Sequence, residues 1–191
     1  MEAINILINE LAKSVQEEEV KSLQDEYISY IDDYIKNSSR KVFQEIDTKE
    51  RIVIISDIHN DSNTLSQIFH KLRISKKYDY FNNAVFVFLG DYLDRGVNSL
   101  QVLRFILKFK SLLGNRCILI KGNHDNILYS AEKGYYAVHS PHDTLDFFKG
   151  LFDEKFILKL KEFYELLPYF AFTKIKRRKY LFVHASIPKD K

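Results

Sequence analysis

Ala84-Val85-Phe86-Val87-Phe88-Leu89-Gly90-Asp91-Tyr92-Leu93-Asp94-Arg95-Gly96 is an apolar run that ends abruptly in a loop of glycines, carboxylates and a guanidinium. An unbroken apolar run of this length suits a strand buried on both faces. In the loop, bracketed by Gly90 and Gly96, Asp91 has the reach to bridge two cations about 3.5–4 Å apart, Asp94 can accept a hydrogen bond, and Arg95 presents a planar fork of donors that matches phosphate. A solvated turn with a local Asp–Arg pair is the plainer alternative. Repetition of the same pattern elsewhere in the chain weighs against it.

The pattern recurs three times. Ile52 to Ile55 leads into Asp57-Ile58-His59, Cys117 to Ile120 into Gly122-Asn123-His124-Asp125, and Tyr180 to Val183 into His184-Ala185. Each run has the composition of a strand buried on both faces. Between them, Leu65 to Leu72, Leu100 to Phe109 and Phe156 to Leu167 carry helical spacing. This alternation predicts an α/β sandwich, with helices covering a largely parallel or mixed sheet, and ligand sites in such folds gather at the carboxyl ends of strands. Asp57 and His59 pair a carboxylate oxygen with an imidazole nitrogen, which suits manganese, iron or zinc. Asn123 offers a carbonyl oxygen and His124 a proton donor. Taken singly, Asp57 and His59 fit a capped strand exit, Asn123 and His124 a turn, and His184 a packed residue. Their shared position at strand ends is what marks them as one site.

The rest of the chain sets the surroundings. Residues 2 to 35 lack Gly and Pro and place Ile4, Leu7, Ile8, Leu11 and Val15, then Val20, Leu23, Tyr27, Ile31 and Tyr34, at steps of three and four. The five-residue step between Val15 and Val20 allows one kinked helix or two packed ones. We assign 1–46 to this helical N-terminal extension and 47–191 to the main domain. Lys174 to Lys179, between the strand-like runs Tyr169 to Thr173 and Tyr180 to Val183, reads as a solvated hairpin turn. Tyr135 to Asp143 reads as an irregular stretch around Pro141, in which His139 and His142 are secondary candidates for metal ligation; His70 reads as a surface residue on a helix. Cys117 lies within an apolar run and reads as a buried small hydrophobe, poor as a nucleophile. With 191 residues, 46% hydrophobic and 29% charged, the chain is long enough for one well-formed core. A net charge of +3 without a basic stripe gives no case for a nucleic-acid partner. The start has no signal-peptide pattern, and no run approaches the roughly 20 apolar residues of a membrane span, so a cytoplasmic location without membrane attachment is expected.

On these four segments the chain resembles the calcineurin-like metallophosphoesterases, and within them the serine/threonine phosphoprotein phosphatases. That family reads G-D-x-H-G, G-D-x-V-D-R-G, G-N-H-E and then H-G-G or H-A-G. This chain has Ser56-Asp57-Ile58-His59-Asn60, Gly90 to Gly96 with Leu93 for Val, Gly122 to Asp125 with Asp for Glu, and His184-Ala185-Ser186. The similarity spans about residues 51 to 191.

The resemblance implies a metallophosphoesterase-type β-sandwich flanked by helices and two divalent metal ions, with manganese the first choice and iron or zinc the alternatives. It implies that Asp57, His59 and Asp91 hold one metal, and that Asp91, Asn123 and His184 hold part of the other. It further implies that Arg95 grips the phosphoryl oxygens together with Asn123 and His124, and that His124, oriented by Asp94, protonates the leaving group after in-line attack by a metal-bridging hydroxide. The expected substrate is a phosphoprotein or a phosphorylated small molecule. The reaction is expected to be that of a serine/threonine protein phosphatase; a symmetrical diadenosine tetraphosphate hydrolase and an inactive phosphatase-like binding module or fragment are the alternatives. In the family a further His for the second metal and another Arg follow the segment matched by His184. Only seven residues follow it here. The expectation is therefore a domain without its C-terminal strands and a second metal site one ligand short.

Overall fold

The computed structural model describes residues 2–13, 15, 19–46, 51–75, 78–139 and 143–185. His142 and Ser186, both singled out in the sequence, lie outside the described residues. Three strands form the central parallel sheet in the order β2 (Arg51–Ile55), β3 (Ala84–Phe88), β4 (Cys117–Leu119). Side chains alternate across a strand, and β3 shows what that does. Phe86 and Phe88 face a large helix-covered core, while Val85 and Val87 face a second, smaller core against the other sheet. β4 divides likewise, with Cys117 and Leu119 on the helical side and Ile118 on the sheet side. Burial pushes the Cys117 thiol up to about 12, so it stays protonated and inert.

The second sheet has the order β1 (Phe43–Ile46), β7 (Phe170–Ile175), β8 (Arg178–Val183), with β1 parallel and β8 antiparallel to β7. Its contribution to the inter-sheet core is Ile46 and Ala171, with Phe182 packed alongside. Lys176 and Arg177 form the tight turn that the basic run predicted, Lys176 at φ +56°. Two expectations need correction. Tyr180 and Leu181 are exposed and Ile54 is 53% exposed, so β8 and β2, each with a strand neighbour on one side only among the described residues, are not buried on both faces as the central β3 is. Apolar runs on edges and in centres look alike, because composition does not reveal which strand has two neighbours. The two ends of the stretch from Tyr135 to Asp143 are regular rather than irregular, Tyr135 to Ala137 as strand and Asp143 as the start of a helix, while 140–142 lie outside the described residues. The strand is β6 (Gly134–Ala137), which pairs antiparallel with β5 (Ile127–Ser130), and the helix is α6 (Asp143–Leu151).

Helices close the other face. α3 (Ser62–Arg73), capped by Asp61 Oδ1 accepting from the Thr64 N–H at 2.9 Å, carries Phe69 into a ring cluster with Phe81, Phe86, Phe88, Phe105 and Phe109. Phe81 belongs to the short α4 (Tyr80–Asn83), and Phe105 and Phe109 to α5 (Ser99–Leu113). The front of the chain forms two helices, α1 (Glu2–Glu10) and α2 (Val20–Asn37), and both pack on α5. Ile4, Leu7, Ile8, Leu23, Tyr27 and Ile31 are buried in the same core as the central sheet, and Tyr27 also donates to Leu100 O at 2.9 Å. Arg104 and Lys108 of α5 bridge Glu26 at 2.9 and 2.8 Å and approach Glu10, tying both helices to one turn of α5. α7 (Glu154–Leu166) packs against α2 and α6. No helix of the described residues is long and apolar enough to cross a membrane.

Candidate active site

The loops leaving β2, β3 and β4 meet because their backbones bond to one another. The N–H groups of Ile58 and His59 both donate to Asp91 O at 3.0 Å, and the Asn60 N–H donates to Tyr92 O at 3.1 Å. Asp125 joins the third loop: its carboxylate accepts from the N–H groups of Asp91 (2.8 Å), Tyr92 (3.2 Å) and Gly122 (2.8 Å). The loops approach so closely that a Cβ on Gly90 or on Gly122 would collide with the facing backbone. Gly90 also sits at φ +102°, where a side chain is strained. Asp125 is fully buried, and its pKa is pushed up to about 7 by desolvation, with the nearby Asp91 charge adding to it and the three N–H groups opposing it.

Two predicted histidines face one oxygen atom, Asp91 Oδ2, and Asp57 and Asn123 stand beside them. Asp91 Oδ1 is occupied by the His124 N–H at 2.9 Å, and Oδ2 faces His59 Nε2 at 3.5 Å and His184 Nε2 at 3.4 Å. Asp57 stands beside both rings, 4.0 Å from His59 Nε2 and 3.7 Å from His184 Nδ1. Asn123 Oδ1 is 2.8 Å from His184 Nε2. Among the described residues, Asp57, His59 and Asp91 form a group of donors close enough to hold one metal ion.

The donor chemistry fits a divalent cation. His59 Nδ1 donates to Leu93 O at 3.0 Å, so its Nε2 carries the lone pair; that atom is buried and makes no hydrogen bond. His184 Nδ1 lies 3.0 Å from Leu89 O. A neutral imidazole has one N–H and cannot donate to both Leu89 O and Asn123 Oδ1. A second proton on the ring, or a cation shared by Nε2, Asn123 Oδ1 and Asp91 Oδ2, resolves the contact. Carboxylate, imidazole and amide oxygen ligands together suit manganese, iron or zinc.

On the flank of this cluster His124, buried, holds Asp94 Oδ2 at 2.9 Å through Nδ1. Its Nε2 is 3.1 Å from Arg95 Nη2. A guanidinium only donates, so Nε2 is the acceptor and Nδ1 bears the proton given to Asp94. Arg95 is otherwise exposed. The His139 ring lies 5.8 Å from the His124 ring, beside this pair rather than within the group formed by Asp57, His59 and Asp91. Sequence reasoning missed Asn60, Asp143 and Thr144, which bond to the Asp94–Gly96 loop: Asn60 Nδ2 donates to Gly96 O at 3.1 Å, and Asp143 Oδ1 accepts from the Arg95 N–H at 3.2 Å. An Asp-Thr pair opening an apolar run is a helix-start signal that would have located the last two. A cavity of about 830 Å³ between β1 and the back of the central sheet contains none of these side chains.

Residues 50–190 match the model of the calcineurin-like phosphoesterase family. The chain belongs to that family. It is similar to an asymmetrical bis(5'-nucleosyl)-tetraphosphatase of Oceanobacillus iheyensis, 30% identical over 146 residues that make up 72% of this chain and 57% of that protein. It is also similar to a PP2A-like serine/threonine-protein phosphatase of Candida albicans, 29% identical over 113 residues, 56% of this chain and 26% of that one. The solved structure of a protein serine/threonine phosphatase from Saccharomyces cerevisiae shares the fold, with a TM-score of 0.53, 18% identity and coverage of 84% of this chain and 46% of the yeast one. The chain thus spans about half the length of the tetraphosphatase and of the yeast structure.

Proposed function

We propose that the chain is a metal-dependent phosphoesterase that hydrolyses phosphomonoesters, with phosphoserine or phosphothreonine in proteins as its substrate class. The observation that carries this reading is the convergence of Asp57, His59, Asn123 and His184 on Asp91, with Arg95 and the Asp94–His124 pair alongside. Asp57, His59 and Asp91 would hold one cation, and Asp91, Asn123 and His184 would hold a second. The chemistry supplied by divalent ions there is Lewis acidity, which draws charge from a phosphoryl oxygen and makes water acidic enough to attack near neutral pH.

The protein's own groups do the rest. Arg95 binds two phosphoryl oxygens through its guanidinium, and in turning toward them it leaves His124 Nε2 free. Once freed, Nε2 takes up a proton from solvent and His124 then gives that proton to the leaving oxygen as the P–O bond breaks, while Nδ1–H keeps its bond to Asp94 in either protonation state. Release of phosphate from p-nitrophenyl phosphate by manganese-loaded protein is the expected result, abolished by Asp91→Asn and reduced ~10²–10⁴-fold on an alkyl phosphate by His124→Asn. Folded, manganese-loaded protein that turns over no phosphate ester would sink the proposal.

A second reading has its own support: the sequence match to the tetraphosphatase runs over 72% of this chain, against 56% for the match to the PP2A-like phosphatase of Candida albicans. Under it the substrate is a dinucleoside tetraphosphate. Rates on phosphopeptides and on dinucleoside tetraphosphates, measured side by side, decide between the two.

A further inference from the structure

The first turn of α6 reaches into the site from about 50 residues further along the chain. Thr144 is buried, and its backbone N–H donates to Asp94 Oδ1 at 3.2 Å, on the same carboxylate whose Oδ2 holds His124. Its hydroxyl oxygen accepts from the Asp94 N–H at 3.0 Å and from Asn60 Nδ2 at 2.9 Å. A threonine that merely starts a helix spends its oxygen on the N–H groups of its own first turn. Here the recorded partners of that oxygen are on the Asn60 and Asp94 loops instead. Asp94 needs such support. It sits at φ +69° and the adjoining Arg95 at +65°, conformations that side chains adopt only when their surroundings impose them. Behind the pair, Thr144 and Asp94 line a small cavity of about 20 Å³ with Leu93, Phe148, Leu160, Asn126 and Tyr164.

We infer that Thr144 is a positioning residue for acid catalysis: it fixes both the backbone and the carboxylate of Asp94, and through Asp94 the direction in which His124 presents Nε2. This rests on the phosphoesterase reading above. It places Thr144 in one step only, the transfer of the Nε2 proton to the leaving oxygen as the P–O bond breaks. Binding of phosphate and of cations does not pass through it.

The selectivity of that role gives the test. Phenolate leaves poorly without a proton, whereas p-nitrophenolate needs little help. Thr144→Val keeps the volume and the backbone N–H but removes the acceptor. It should lower kcat on phenyl phosphate by about 10–100-fold, a sizeable part of a general-acid contribution. On p-nitrophenyl phosphate the loss should stay within about twofold, with KM unchanged on both, and Thr144→Ser should restore the phenyl phosphate rate. Should Val prevent folding, Thr144→Ala, which admits water to the two stranded N–H groups, serves the same comparison. Equal losses on both esters, or no loss on either, overturn the inference. A second readout does not need turnover: the imidazole N–H proton of His124, identified by its disappearance in His124→Asn, should exchange faster with solvent in Thr144→Val and at the wild-type rate in Thr144→Ser. If the wild type is inert on every ester the phosphoesterase reading falls, and an unchanged exchange rate then overturns the positioning role separately.

Discussion

Asp125→Asn is the perturbation whose outcome the structure constrains most tightly. In the folded chain the carboxyl is fully buried, close to Asp91, and its pKa stands at about 7 against the ordinary 3.8. Below about pH 4 it is protonated whether the chain is folded or not, and its burial carries no ionic penalty. As pH rises from there the unfolded chain ionises first, so stability drains away until the folded group ionises near 7, and then levels off. Each pH unit within that window is worth about 1.36 kcal/mol, so the wild type should lose about 3 kcal/mol between pH 5 and pH 8 through this group alone. Asparagine cannot ionise and has no such slope. It does turn an NH₂ toward one of three backbone N–H groups, which should shift the difference by about 1–3 kcal/mol in favour of the wild type at every pH. Urea unfolding of both proteins in chelator, from pH 5 to pH 8, isolates the effect, because the other titrating groups are common to both and cancel in the difference. The wild-type advantage should shrink by about 3 kcal/mol over that range. Adding manganese should flatten the slope, since a cation on Asp91 replaces a repelling charge by an attracting one. Stability curves that run parallel within about 0.5 kcal/mol from pH 5 to pH 8 would show that Asp125 is ionised throughout, and would refute the reasoning.

Two further outcomes follow from packing and from the donor cluster. Phe69→Ala removes the ring on which Phe81, Phe86, Phe88, Phe105 and Phe109 all pack, and should cost about 3–5 kcal/mol in urea unfolding. His59→Ala deletes the buried, unbonded Nε2 and should weaken manganese binding, read by electron paramagnetic resonance, by more than the ~10–100-fold that loss of a ligand's outer hydrogen-bond partner produces.

The strand-end segments were legible because their chemistry is local: a buried run that stops at a glycine or a carboxylate needs no partner to be noticed. Asp57, His59, Asp91 and Asn123 are brought together at the shared edge of the central sheet, whereas His184 reaches them from β8 of the second sheet and not from that edge. What the sequence hid depends on distant pairing. β1 is four residues long, and its register is set by β7, from Phe43 on Phe170 to Ile46 on Thr173. A stretch of Phe-Gln-Glu-Ile carries too few alternations to declare itself. The exposure of β2 and β8 was hidden for a related reason, since edge position belongs to the sheet and not to the strand. Thr144 carries only a helix-start signal; its importance comes from facing Asp94, fifty positions earlier.

The same distance dependence explains how the site tolerates its own backbone. Five residues other than glycine in it have left-handed φ values: His59 at +47°, Asn60 at +61°, Asp91 at +51°, Asp94 at +69° and Arg95 at +65°. Each such residue costs about 1–3 kcal/mol, so no one loop would hold this shape alone. In every one of the five the N–H is bonded to a different segment: His59 to Asp91 O, Asn60 to Tyr92 O, Asp91 to Asp125, Asp94 to Thr144 and Arg95 to Asp143. The turns that aim the donors therefore exist only while the loops after β2, β3 and β4 and the start of α6 are assembled. Substitutions at Asp125 should consequently be felt at Asp91, and substitutions at Thr144 at Asp94 and His124, although neither residue is among the donors around Asp91.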